Sequence, residues 1–99
     1  NGLETPLIAE NNSSVFAQYT ILSKNRVSIQ SNLKEKDIPS VSYYSVPLHL
    51  QPVFKNLGHN GVFPIAEKVA NQCLSLPMSP YLSEHDQKNV INTILANTN

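Results

Sequence analysis

The sequence predicts an α+β fold, a small mixed β-sheet packed with helices, and three observations carry that prediction. Short runs alternate in the manner of strands, most clearly at residues 15–22, where Val15, Ala17, Tyr19 and Ile21 share one face. Two later stretches repeat apolar residues at helical spacing instead: Ile65, Ala66, Val69, Ala70 and Cys73, then Val90, Ile91, Ile94 and Leu95. Seven prolines among 99 residues cut the chain into short pieces, so no element can run long. The resulting order is β-β-α-β-α-β-α, and a chain of 99 residues makes one domain.

Taken in order, residues 3–9 read as a first strand, with Pro6 placing it at an edge or a bulge. Residues 10–14 form a polar turn. The strand at 15–22 is apolar on both faces, since Phe16 and Leu22 occupy the side opposite Ile21, and it belongs in the middle of the sheet. Lys24-Asn25 opens a helix to about residue 36, capped by Asn25 and buried through Val27, Ile29 and Leu33. Asp37-Ile38-Pro39 stops it, and a strand at 41–46 follows until Pro47 removes a ladder donor. Strand, helix and strand in that order imply a right-handed crossover between parallel strands. A short helix or turn is expected at about 51–56 and a flexible Gly/Asn loop at 58–61. Pro64 opens the next helix, where proline's fixed φ suits the first turn. Residues 73–76 turn extended, and Ser83 with Asp86 forms a capping box ahead of the last helix, which runs to about residue 96.

Seven basic residues balance seven acidic ones, and only 14% of the chain is charged. Such a surface does not attract nucleic acid or anionic lipid. No apolar run has the length of a membrane span, and no basic-then-apolar leader is present. The single cysteine, Cys73, has no internal disulfide partner, which favours a reducing, cytoplasmic setting. The sequons at Asn11 and Asn12 lie in a Ser/Asn-rich turn and are read as chance.

Polar chemistry gathers in Val41-Ser42-Tyr43-Tyr44-Ser45-Val46-Pro47-Leu48-His49-Leu50-Gln51. Two phenols, an imidazole and a carboxamide follow one another across the expected strand end, where a rigid scaffold aims an exposed loop. Alternation sends Tyr43 and Tyr44 to opposite faces, so at most one belongs to the core. His49 meets either a ligand or a neighbouring carbonyl. His59, in the loop, and His85, in a first helical turn, read as solvated, and the histidine spacing gives no metal-ligating pair. Cys73, beside Leu74 and on an apolar stripe, reads as a buried structural thiol. Arg26 reads as a solvated surface residue, and the three glycines match no phosphate loop. These residues alone name no reaction.

Four runs carry a resemblance. Ser14-Val15-Phe16-Ala17-Gln18-Tyr19-Thr20-Ile21, then Tyr43-Tyr44-Ser45-Val46-Pro47-Leu48-His49-Leu50-Gln51-Pro52, then Phe63-Pro64-Ile65-Ala66-Glu67-Lys68 with Leu74-Ser75-Leu76-Pro77-Met78-Ser79-Pro80-Tyr81-Leu82-Ser83 occur in the family's order. They resemble the carboxy-terminal domain of the pyridoxal-phosphate-dependent DegT/DnrJ/EryC1/StrS aminotransferases. The resemblance implies the small domain of a fold-type I enzyme, which closes over a site where a keto-sugar linked to a nucleotide is aminated. It implies an amino-acid donor (glutamate), a role in cell-surface polysaccharide or amino-sugar synthesis, an upstream large domain and a homodimeric parent. It places Tyr43, Tyr44 and His49 near the sugar substrate, with Gln51 in the same motif either at the substrate or bracing the loop.

The resemblance also implies that the cofactor and its Schiff-base lysine sit in the large domain. None of the six lysines here stands in the family's cofactor-lysine context. The chain therefore reads as one piece of a larger enzyme, without a catalytic residue of its own and inactive alone. Such a piece carries an apolar face that packs elsewhere. The competing readings are a self-contained α+β binding module and a small enzyme using Cys73 or His49.

Overall fold

A computed structural model describes residues 2–57 and 61–98, with the backbone alone at Asn56. Its strands are β1 (Leu3–Glu4), β2 (Tyr19–Ser23) and β3 (Cys73–Leu76); its helices are α1 (Arg26–Glu35), α2 (Pro64–Gln72) and α3 (Glu84–Leu95). Two 3-10 turns, Leu48–Leu50 and Pro52–Leu57, lie between α1 and α2. The sheet order is β1-β2-β3, with β2 central as expected. The α+β class holds, but both ladders are antiparallel where a mixed sheet was expected. Leu3 faces Ser23, and Tyr19 to Leu22 face Leu76 to Cys73. The Thr20 and Ser75 hydroxyls, on directly paired residues, share a hydrogen bond of 2.8 Å.

Three expected strands are cut short. The first keeps only Leu3–Glu4, ending before Pro6, which has no N–H for a ladder. The second begins at Tyr19 because Phe16 turns left-handed at φ 45°, which breaks the alternation that Val15 had promised. The third shrinks to one bridge: Val41 and Ser75 exchange both backbone hydrogen bonds, at 3.2 and 2.7 Å. A continued ladder would next have offered the Cys73 carbonyl to the Tyr43 N–H. That carbonyl instead accepts the Ser42 hydroxyl at 2.9 Å, so the chain leaves the sheet. Val41 and β2 point the same way, both being antiparallel to β3, but β3 lies between them.

The core sits between the sheet and helices α1 and α3. Ile21, Ile29, Leu33 and Leu74 are at most 1% exposed, and Val90 and Ile94 close the cluster. Burying each such side chain contributes about 1.5–3 kcal/mol. Val27, Ile91 and Leu95, expected inside, are exposed, and Thr93 is buried in their place. Its hydroxyl stays satisfied by donating to the Asn89 carbonyl at 2.7 Å. Helix α1 stops on a left-handed Asp37 (φ 57°), with Ile38 N–H donating to the Leu33 carbonyl and Asp37 N–H to that of Lys34. This closes the helix end and folds Ile38 back onto the core.

Candidate functional site

The chain leaves β3's edge at Ser42 and turns through Tyr43 and Tyr44, joined by a cis peptide, before Pro47 starts the first 3-10 turn. Neither tyrosine is core: Tyr43 is 45% and Tyr44 73% exposed. Their rings meet edge to face, centroids 5.6 Å apart, which holds each phenol in place without burying it. Tyr43 also forms one wall of a cleft of about 440 Å³ shared with Gln18, Val41 and Met78. Two adjacent phenols on an exposed turn present hydroxyls that both donate and accept, which suits a polyhydroxyl or phosphate-bearing ligand.

The other two expected residues turn inward. His49 meets neither a carbonyl nor open solvent: its Nε2 lies 2.9 Å from Glu67 Oε1 on α2. Its ring packs on Phe63 at a centroid distance of 4.8 Å. The Gln51 amide donates to the Val46 carbonyl at 3.2 Å, the bracing option of its two expected roles. The structure thus brings all four residues onto one turn, with the phenols outward and the imidazole and carboxamide engaged within the protein.

Glu67 and Phe63 are the contributors that sequence reasoning did not single out. Both stand in the Phe63-Pro64-Ile65-Ala66-Glu67-Lys68 run, where a carboxylate in a first helical turn looks like an ordinary dipole partner. Gly61 belongs with them, since an added Cβ there would lie 2.8 Å from the Phe63 ring. Beside the imidazole opens an apolar cavity of about 530 Å³, lined by Leu48, His49, Phe54, Leu57, Phe63 and Ala66. A larger cavity of about 670 Å³, between the end of α1 and α3, is lined by Lys36, Asp37, Asp86 and Asn89 and contains none of the expected site residues.

Cys73 is 1% exposed, its sulfur near the Tyr44 and Ala70 carbonyls, in keeping with a structural thiol. Arg26 is half-buried instead of solvated, and donates to the Asn71 carbonyl at the end of α2. His85 is exposed in the first turn of α3, and His59 lies outside the described residues. An imine-forming lysine needs a desolvated amine. Lys24, Lys34, Lys36, Lys55, Lys68 and Lys88 are all exposed, and Lys68 lies 3.4 Å from the exposed Glu4 carboxylate. The residues described here do not fit pyridoxal phosphate as its holding site.

Residues 1–95 match the model of the DegT/DnrJ/EryC1/StrS aminotransferase family. The chain is 47% identical over 91 residues to a pleiotropic regulatory protein of Geobacillus stearothermophilus, covering 91% of this chain and 24% of that protein. It is 43% identical over 81 residues to the UDP-2-acetamido-2-deoxy-3-oxo-D-glucuronate aminotransferase of Pseudomonas aeruginosa, covering 82% of this chain and 22% of the relative. The fold superposes on a DegT/DnrJ/EryC1/StrS aminotransferase from Brucella abortus with a TM-score of 0.85 at 40% identity, over 99% of this chain and 27% of the other. The chain thus spans about a quarter of the length of these proteins.

Proposed function

This chain belongs to the DegT/DnrJ/EryC1/StrS aminotransferase family, and we propose that it is the carboxy-terminal, substrate-closing domain of a pyridoxal-phosphate-dependent sugar-nucleotide aminotransferase. On this reading the complete polypeptide moves an amino group from an amino acid, glutamate, to a keto-sugar carried on a nucleotide, in the cytoplasm, as a homodimer. The product feeds cell-surface polysaccharide or amino-sugar synthesis. The cofactor and its lysine belong to the other three quarters, in keeping with the solvent-exposed lysines here.

The observation that carries the reading is the fit of the whole chain onto a quarter of a family aminotransferase, with the exposed Tyr43–Tyr44 pair at the rim of a cleft. The turn from Tyr43 to Gln51 is the substrate-facing segment. The phenols of Tyr43 and Tyr44 hydrogen-bond the sugar hydroxyls or the phosphates, and His49 and Gln51 hold the turn beneath them. Fixing the nucleotide-linked sugar in one orientation lowers the entropic part of the barrier and keeps the keto carbon in place. Closure over the site excludes water, which strengthens those hydrogen bonds. The alternative is a binding module without catalysis, and the 47%-identical relative named as a regulatory protein gives it a specific basis.

The test is amino transfer by the complete polypeptide, loaded with pyridoxal phosphate, from glutamate to a UDP- or dTDP-linked 3-keto-sugar, followed by mass spectrometry. The aminated sugar nucleotide is expected. A cofactor-loaded polypeptide that aminates none of these acceptors overturns the enzymatic reading in favour of the module.

A further inference from the structure

We infer that Glu67 is a positioning residue: by holding His49 it pins the turn that presents Tyr43 and Tyr44, and so governs sugar-nucleotide binding without touching the ligand. The inference rests on the reading above, that the two phenols meet the sugar nucleotide.

The segment behind the phenols is a rigid unit. Leu50 N–H donates to the Pro47 carbonyl at 3.0 Å, Gln51 N–H to that of Leu48 at 3.1 Å, and the Gln51 side chain to that of Val46 at 3.2 Å. Proline's fixed φ stiffens its start. Two side-chain bonds fasten the phenol-bearing span to the body of the domain. Ahead of the tyrosines, the Ser42 hydroxyl donates to the Cys73 carbonyl at 2.9 Å; behind them, His49 Nε2 meets Glu67 Oε1 at the same distance. Both anchors stand on one continuous piece, since Glu67 lies within α2 and Cys73 is the first residue after it. Six helical residues set them about 9 Å apart. A loop clamped at both ends to one rod has few ways to move, and a loop clamped at one end has many.

The imidazole side of the clamp is well covered: the His49 side chain is 12% exposed, against 36% for Glu67. A hydrogen bond to a carboxylate in such a place is stronger than one between neutral groups, and stronger than a pair in open solvent. The Phe63 ring against the imidazole and the absent side chain of Gly61 complete the seat. Because the carboxylate only accepts, the proton is assigned to Nε2. A glutamine at 67 keeps an acceptor there; an alanine removes it.

The test uses the complete, cofactor-loaded polypeptide carrying Glu67→Ala, Glu67→Gln, His49→Ala or His49→Ala with Glu67→Ala. Glu67→Ala is expected to raise KM for the nucleotide-linked keto-sugar about tenfold, with kcat and the amino-donor half-reaction within about twofold. Glu67→Gln is expected to stay within about threefold of the parent, and the double variant to be no worse than either single one. An unchanged KM in Glu67→Ala, a glutamine as harmful as alanine, or additive losses would each overturn the assignment. A readout independent of turnover is the ¹⁵N spectrum of histidine-labelled protein, with exposed His85 as the reference. A protonated Nε2 at His49 that persists in Glu67→Gln supports the clamp, and the opposite tautomer in the parent protein overturns it whatever the kinetics. A clamp seen in a polypeptide that turns over no sugar nucleotide overturns the enzymatic reading, and with it the ligand role given to the phenols.

Discussion

At the scale of single residues, Tyr44 and His49 illustrate what a linear pattern reveals and what it hides. Adjacency made the two phenols conspicuous, but the alternation expected to send them to opposite faces ends with the strand at Val41: both are exposed on a turn and their rings meet. The partner of His49 was hidden, because Glu67 is 18 residues away and no local spacing encodes a contact between a 3-10 turn and a helix. Gln51's bond to Val46 spans only five residues, and bracing was one of the two roles its motif allowed. Since Tyr44 is 73% exposed, Tyr44→Phe should change folding stability by less than about 0.5 kcal/mol in urea denaturation. The same variant of the complete polypeptide should raise KM for the sugar nucleotide about fivefold or more and leave donor use unchanged. Equal loss for both substrates would place the phenol outside the sugar-nucleotide site.

Among the secondary-structure elements, helices were more legible than strands, for a physical reason. A helix satisfies its own backbone, so the α2 and α3 stripes and the helix at α1 needed only periodicity and a stop signal. A strand needs a partner for every other backbone group, and residues 5–18 find almost none among the described residues. Alternation at Val15 therefore promised a sheet position that the chain does not fill; Val15 is 95% exposed. Caps divide in the same way. Ser83 caps α3 as its spacing predicts, accepting from Asp86 N–H at 3.1 Å, but the Asp86 carboxylate accepts the Ser83 hydroxyl at 2.7 Å, where a capping box would have it accept the Ser83 N–H. Asn25 makes no side-chain cap; its own N–H donates to the Ser23 hydroxyl, and its side chain reaches the Asn97 carbonyl. Ser83→Ala should therefore cost about 0.5–2 kcal/mol in a denaturant titration, with Asn25→Ala costing clearly less. The reverse order would show that Asn25 supports α1 in a way its contacts do not convey.

Across the whole molecule, the chain exposes more surface than a free-standing protein of its mass. Its accessible area is 7607 Å², whereas a folded monomer of 11.0 kDa exposes about 5600 Å². Its radius of gyration is 15.6 Å, against about 13 Å for a compact domain of this length. The excess, about 2000 Å², is the size of a large protein interface, and exposed apolar residues such as Leu7, Val53 and Ile65 contribute to it. On the reading proposed above, this open surface is where the rest of the polypeptide packs. Composition alone could not reveal this, because a 40% hydrophobic content is the same whether the apolar residues face inward or outward.

The most direct measurement is tyrosine nitration of the complete, cofactor-loaded polypeptide, mapped by mass spectrometry with and without a saturating sugar nucleotide, using exposed Tyr81 as the comparison. The account predicts that Tyr43 and Tyr44 lose most of their reactivity when the sugar nucleotide is bound, while Tyr81 keeps its own. Tyr43 and Tyr44 reacting equally in the presence and absence of ligand would contradict it.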